Sequence, residues 1–489
     1  MKFLAWFIGI LVTLVVVVYV IAFTSFGNGL VGPIVENKIK EQTKLDSKLT
    51  TFKLTMSEVD ILLELNDKNR VSIKGNYSLF SKDLNIVYAV KLEKLSTLKS
   101  IIGEELNGAL HVDGTAKGAL SLIEVNGQSD VAGSDTKFEA VLKDFAPASV
   151  VASVKNLKFK NLFKMLNKPN YTDGIFFLTA DITDASNGNL KGEIVTTVKK
   201  GVLNSKYITE LAEFKSTMPR TTFDSTALTT LNGNILDTKV DFNSNIVDLD
   251  IKSAKFNIQD SSINSDYKAK IPNLDKLFFA TGQHMKGSIT VNGELSKAKD
   301  LDLTVHTKVA GGNIDAKLHN DDLHAEFKLV ETMGLLHMLI YPEIFKSTLD
   351  GKLDYNLASA KGVFIGQVID GNFAKNKTFN LVKQYTKFDM YRESFNGYVG
   401  ANIDKENILA SLDLYSTQAS IKTKDTKINS KTQKIDSDIT IQAKKNTISA
   451  NIKGDINSPK VKVDLEKLIK SEAGEKIKTE INKFLKKLF

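Results

Sequence analysis

The sequence predicts a mainly β fold: an elongated antiparallel meander with short interspersed helices. Three observations predict it. First, apolar residues alternate with polar ones over short runs, as in Val240 and Phe242, then Val247, Leu249 and Ile251, then Phe256 and Ile258. Period-two alternation marks strands with one apolar and one wet face. Second, these runs are separated only by brief Asn, Ser and Asp breaks, so tight turns join neighbouring antiparallel strands. Third, the pattern recurs. Gly108 answers Gly287, Gly174 answers Gly351, and Gly201 before KYITELAEF answers Gly371 before TFNLVKQYTKF. The strand at Val240 likewise answers that at Leu412. A duplication with a period of roughly 170 to 180 residues argues for nearest-neighbour packing rather than one globule.

Composition fits this reading. The chain has 489 residues, more than one compact core usually serves, and 42% of them are hydrophobic. The net charge of +8 comes from lysine, since the only arginines are Arg70, Arg220 and Arg392. Nucleic-acid readers favour Arg for bidentate contacts, so lysines spread over strand faces read as a solvated surface and no nucleic-acid partner is expected. Cysteine is absent, which excludes disulfides and thiolate metal sites and leaves the redox compartment open.

Taken in order, the chain begins with Phe3–Phe23, an apolar run after Lys2. A helix of that length spans about 30 Å of hydrocarbon. Only Ala22-x-Thr24 and Ser25-x-Gly27 offer cleavage sites, so residues 1–24 read as an uncleaved single-pass signal anchor with the bulk of the chain outside the cytoplasm. Gly32-Pro33 opens a short amphipathic helix, Ile34–Thr43, with Ile34, Val35 and Ile39 on one side. Strands follow from about Leu49. Leu92, Leu95, Leu98, Ile102 and Leu106 then take helical spacing up to Asn107-Gly108, where a strand restarts. The helix-then-Gly-strand unit returns at LKFKNLFKML, IPNLDKLFFATG and TMGLLHMLIY. These units divide the body into sections 25–200, 201–370 and 371–462. The remainder, 463–489, is a basic amphipathic helix with an apolar stripe of Leu465, Leu468, Ile469, Ile477, Ile481, Phe484, Leu485 and Leu488. It suits either an anionic membrane surface, or a protein partner, or a cap over the last strands.

The anchor, the strand-rich body, DMYRESFNGYVGANIDKENILASLDLYS and the turn at Gly454–Pro459 resemble the AsmA-like family of bacterial envelope proteins. The likeness is closest over Phe388–Leu465. It implies a bacterial inner-membrane anchor, a periplasmic body curved like a taco around an apolar groove, and a part in phospholipid traffic or outer-membrane homeostasis. About twenty strands at roughly 4.8 Å spacing give on the order of 100 Å of sheet.

A groove of that kind has a physical use. Each methylene withdrawn from water is worth about 0.8 kcal/mol, so a sixteen-carbon chain represents roughly 12 kcal/mol against unaided crossing. Candidate lining residues are Phe176, Leu178, Ala180 and Ile182, with Val247, Leu249 and Ile251. Further along come Ile289 and Val291, Leu301, Leu303 and Val305, Leu353 and Tyr355, Leu412 and Leu414, and Ile439 and Ile441. The same faces could equally pack as a dry core. Enzyme chemistry is not expected, nor is any cofactor or metal. HNDDLH at His319–His324 matches no ligand spacing, and no Walker, GxSxG or HExxH pattern occurs. Asp248 and Asp250 alternate with Leu249 and so face water. Two functions remain: lipid binding and transfer along a groove, or an envelope scaffold or outer-membrane protein assembly factor working through sheet edges or the C-terminal helix.

Overall fold

The computed structural model describes residues 28–464, apart from 56, 79–80, 376–378, 381–382, 384–387 and 445. The expected anchor, Phe3–Phe23, and the C-terminal apolar stripe from Leu465 lie outside the described residues. Among the described residues no helix is long and apolar enough to cross a membrane.

The fold is mainly β, an antiparallel sheet of 26 strands, and the chain divides into two compact units at Ser261/Ser262. The first unit starts with helix α1 (Asn28–Thr43), then β1 (Ser47–Leu54), β2 (Glu58–Leu65), β3 (Arg70–Tyr77) and β4 (Asp83–Leu92). It continues through β5 (Leu110–Ala119), β6 (Leu122–Ser129), β7 (Asp135–Lys143), β8 (Ala146–Lys158) and β9 (Thr172–Asp184). β10 (Lys191–Leu203), β11 (Thr222–Asn232), β12 (Ile235–Ser244) and β13 (Asp248–Asn257) complete it. Each strand pairs antiparallel with the next, as the tight Asn/Asp/Gly breaks require.

The second unit repeats this meander. It contains β14 (Ile263–Ile271), β15 (Ile289–Lys297), β16 (Leu301–Val309), β17 (Gly312–His319) and β18 (Asp322–Glu331). Next come β19 (Phe345–Asn356), β20 (Lys361–Phe373), β21 (Phe395–Asp404) and β22 (Asn407–Tyr415). β23 (Ala419–Asn429), β24 (Lys434–Ala443), β25 (Asn446–Asp455) and β26 (Ser458–Asp464) follow. Pairing is again sequential and antiparallel.

Each unit is built on the same internal geometry, about 180 residues apart. In the first, Tyr88 of β4 reaches over Gly114 of β5 and donates to Asn126 O of β6 at 3.1 Å. In the second, Tyr267 of β14 reaches over Gly293 of β15 and donates to Thr304 O of β16 at 2.7 Å. A Cβ at Gly114 would lie 2.6 Å from the Tyr88 hydroxyl, so glycine makes the crossing possible. The helical turns correspond as well. Leu95 N donates to Gly108 O and Leu274 N to Gly287 O, both at 3.0 Å. Helices α2 (Lys99–Ile102) and α5 (Phe278–Thr281) both end on a left-handed glycine, Gly103 and Gly282. Helices α3 (Phe159–Met165) and α6 (Thr332–Met338) return a carbonyl to the earlier turn: Asn107 N donates to Met165 O, and Lys286 N to Met338 O. Another helix, α4 (Ser205–Leu211), follows β10.

Two local expectations change. In α1, Val35 is 3% exposed while Ile34 is 60% exposed, because Val35 and Ile39, four apart, point together at the sheet and Ile34 points away. Gly174 corresponds to Ser347 rather than Gly351: both sit where β9–β10 and β19–β20 bulge opposite Gly201 and Gly371.

Buried apolar residues gather in two places. In the first unit a core covers one face of β1–β7, including Leu63, Ile73, Tyr88, Leu110 and Leu142, with Met165 of α3. In the second, Val368, Met390, Phe395, Leu414, Ile421 and Ile441 pack over β20–β25. Neither core draws a residue from β9–β18.

Candidate functional site

The predicted residues of the first unit come together. Phe176, Leu178, Ala180 and Ile182 of β9 stand opposite Val198, Thr196, Ile194 and Gly192 of β10. Carried through β11 and β12 to β13, the register lines up Phe176, Val198, Ser225, Phe242 and Leu249 in one cross-strand row. The next row is Leu178, Thr196, Ala227, Val240 and Ile251. Directly opposed residues share a face, so these rows form one apolar surface without a charged side chain.

A bulge between Thr238 and Val240 lets β13 keep that face. It places Ala254 and Phe256 beside Thr238 and Leu236, where unbroken alternation from Ile251 would have placed Ser253 and Lys255. Val247 stands just before β13, its carbonyl accepting from Ser244 Oγ at 2.7 Å. Apart from Leu231, the residues of this face are half-buried rather than buried. Phe176 touches Phe159 of α3, with ring centroids 5.6 Å apart, and Phe223 stacks on Phe242 at 5.1 Å. The surface therefore has apolar chemistry and ordered aromatic walls while keeping solvent access.

The second unit shows the same face in its first strands. Ile289 and Val291 oppose Ile271 and Ala269. Leu303 joins a row with Leu295, Leu318, Leu323 and Tyr355, and Val305 joins Ala316, Ala325, Leu353 and Phe364. Leu301 lies opposite Lys297, at the polar margin of this face. Leu414 and Ile441 differ. They are 1% and 3% exposed inside the second core, and Leu412 and Ile439 pack against it. Leu414 and Ile441 therefore belong to a dry core shared with Phe395, Met390 and Phe388, while Leu412 and Ile439 stay half-buried at its margin.

Ile194, Val198, Phe223, Leu236, Leu295, Leu318 and Phe364 belong to the open faces and were not singled out in the sequence. Their signal was the same alternation, diluted by threonine and glycine at intervening positions. The polar face shows paired charges. His319 of β17 and His324 of β18 bond different carboxylates, Asp302 at 2.8 Å and Asp354 at 2.6 Å. The Asp302 carboxylate holds the His319 imidazole above its ordinary pKa. Among the described residues no group of His, Cys, Asp and Glu is arranged to hold a metal ion. Asp250 opposes Asp241 on the face away from Leu249.

No family model, curated protein or solved structure matches this chain.

Proposed function

We propose that this protein binds phospholipid acyl chains along its open apolar strand faces and aids lipid movement between the membranes of a bacterial envelope. In this reading residues 1–24 anchor it in the inner membrane and the body stands in the periplasm. The observation that carries the proposal is the in-register apolar face of β9–β13. It is free of charge and half-exposed, and it lies outside the buried cores. Leaving such a face open is costly in water, and acyl chains supply the missing cover.

The test is mass spectrometry of lipids that co-purify with residues 28–489. Stoichiometric phospholipid, lost in Leu249→Glu, supports the proposal; a folded, lipid-free body overturns it. A second reading, an envelope scaffold or assembly factor, draws on a different surface. Val363, Ile365, Tyr398 and Leu409 are exposed on the outer face of β20–β22, Ile365 by 64%. Charged substitutions there that abolish function while leaving lipid content intact would favour this second reading.

A further inference from the structure

One end of strands β8–β13 is unlike the rest of the first unit. The β8–β9 and β10–β11 connections both emerge there: Thr172 stands opposite Leu203, and Asn204 donates to Tyr171 O at 3.0 Å and to Asn170 O at 2.8 Å. The β12–β13 turn joins them through Asn245, whose side-chain amide donates to Arg220 O at 3.0 Å. A chain of rings runs along this rim. Phe176 of the apolar face touches Phe159, and Phe159 stacks on Phe163 at 5.8 Å. Phe163 then meets Tyr171 edge-on at 5.3 Å, and Tyr171 meets Tyr207 of α4 at 5.0 Å. Phe159, Phe163, Tyr171 and Tyr207 all stay half-buried, and Leu211, four residues after Tyr207, is 65% exposed.

Positive charge lies beside the rings. Between Asp144 and Asp173 the chain carries Lys155, Lys158, Lys160, Lys164 and Lys168 and no acidic residue. In α3, Leu162 and Met165 turn to the first core, so Phe159 with Phe163 and Lys160 with Lys164, each pair four apart, flank its solvent side. In the β10–β11 connection Lys206, Lys215 and Arg220 outnumber Glu210 and Glu213. The fold does not demand these lysines. Helix α6, which matches α3 in the second unit, has none, and its His337 bonds Glu343 at 2.6 Å. A soluble anion would satisfy the lysines and leave Leu211 and the rings wet. A bilayer interface supplies both partners: phosphates for the ammonium groups and an interfacial layer for rings with one wet edge.

We infer that this rim docks on a membrane surface rich in anionic phospholipid, with Lys160 and Lys164 at the head groups and Tyr207 and Leu211 entering the interface. The row from Phe176 to Leu249 begins at this end, so docking brings the β9–β13 face to the bilayer. Docking itself does not depend on what that face carries. The chain has no cysteine, so single sites can be labelled cleanly. In the test, full-length Leu211→Cys and Val151→Cys, each carrying the environment-sensitive dye NBD, are reconstituted into phosphatidylcholine vesicles with and without phosphatidylglycerol. Val151 is the control, 49% exposed and opposite Asp181 on the other face of β8. The dye at position 211 shifts to the blue and is quenched by spin-labelled lipid only when phosphatidylglycerol is present; the dye at position 151 does neither. Adding Lys160→Gln/Lys164→Gln lowers the docked-to-undocked ratio roughly thirtyfold. Unchanged docking in that variant with native circular dichroism overturns the inference, and so does an equal shift in pure phosphatidylcholine. A blue shift induced by polyglutamate in neutral vesicles would make the rim a site for an acidic protein and also overturn it. Leu249→Glu leaves docking intact, so loss of co-purified phospholipid in that variant and failure of the rim to dock are separate results.

Discussion

Introducing a carboxylate at Leu249 and at Leu414 distinguishes an open apolar face from a dry core. Both are leucines on inner-facing rows of the antiparallel sheet, yet Leu249 is half-buried beside Phe242 while Leu414 is 1% exposed. In Leu414→Glu the variant loses about 2 kcal/mol of apolar burial, and a desolvated carboxylate costs several kcal/mol more. Against a typical stability of roughly 5–15 kcal/mol this is enough to unfold or severely weaken the second unit at neutral pH. Leu249→Glu loses only part of a leucine's burial, about 1 kcal/mol, because the carboxylate keeps its water on the open side. Urea titration followed by circular dichroism reads both. Leu249→Glu shifts its midpoint by less than about 1 M, and Leu414→Glu loses a transition or shifts it several-fold further. The pH dependence has a definite sign. A buried Glu has a folded pKa raised above its unfolded value, so Leu414→Glu regains stability as pH falls below the folded pKa and Leu249→Glu changes little. Equal destabilisation at both positions would refute the reasoning, because it would make the β9–β13 face a closed core.

Four further outcomes follow from the geometry. Gly114→Ala puts a Cβ 2.0 Å from Asn126 O, and Gly293→Ala puts one 1.9 Å from Thr304 O; each lowers its own unit's urea midpoint by about 1–3 kcal/mol equivalent. Tyr88→Phe loses the bond to Asn126 O, about 1 kcal/mol at neutral pH. Burial holds the Tyr88 hydroxyl above the ordinary tyrosine pKa. Its stabilising contribution is complete below about pH 10 and is lost as pH rises through the folded value, so alkaline titration of stability should be shallower in Tyr88→Phe. Asn69 is fully buried, bonding Thr97 Oγ1 at 2.9 Å and accepting from Lys94 N at 3.1 Å; Asn69→Ala costs about 2–3 kcal/mol by calorimetry. Deleting 465–489 abolishes function in complementation only if the scaffold reading holds, and leaves co-purified lipid unchanged.

Strand positions were legible because alternation and turn chemistry are local. Phe176 to Ile182, Val247 to Ile251 and Leu303 to Val305 could be put on one face from period two alone. The duplication was legible from its glycines, since Gly108 and Gly287 hold matching turns. The bulge that admits Ala254 and Phe256 was not, because an extra residue in one strand is defined only by its partner. Ile34 and the Gly174–Gly351 match went astray for similar reasons: the orientation of a helix and position within a bulge are set by the neighbouring strand.

By itself, then, the sequence determined the class of fold, the strand order and the face apolar residues share within an unbroken strand run, because these depend on backbone period and short-range turns. Only the tertiary structure decided which parts of that face are closed. Leu414 and Ile441 read like Leu249 and Ile251 in sequence, yet the first pair is buried beneath Met390 and Phe395, while Leu249 and Ile251 stay half-open beside Phe242 and Val240. Alternation specifies the direction of a side chain, and burial depends on what distant residues fold over it.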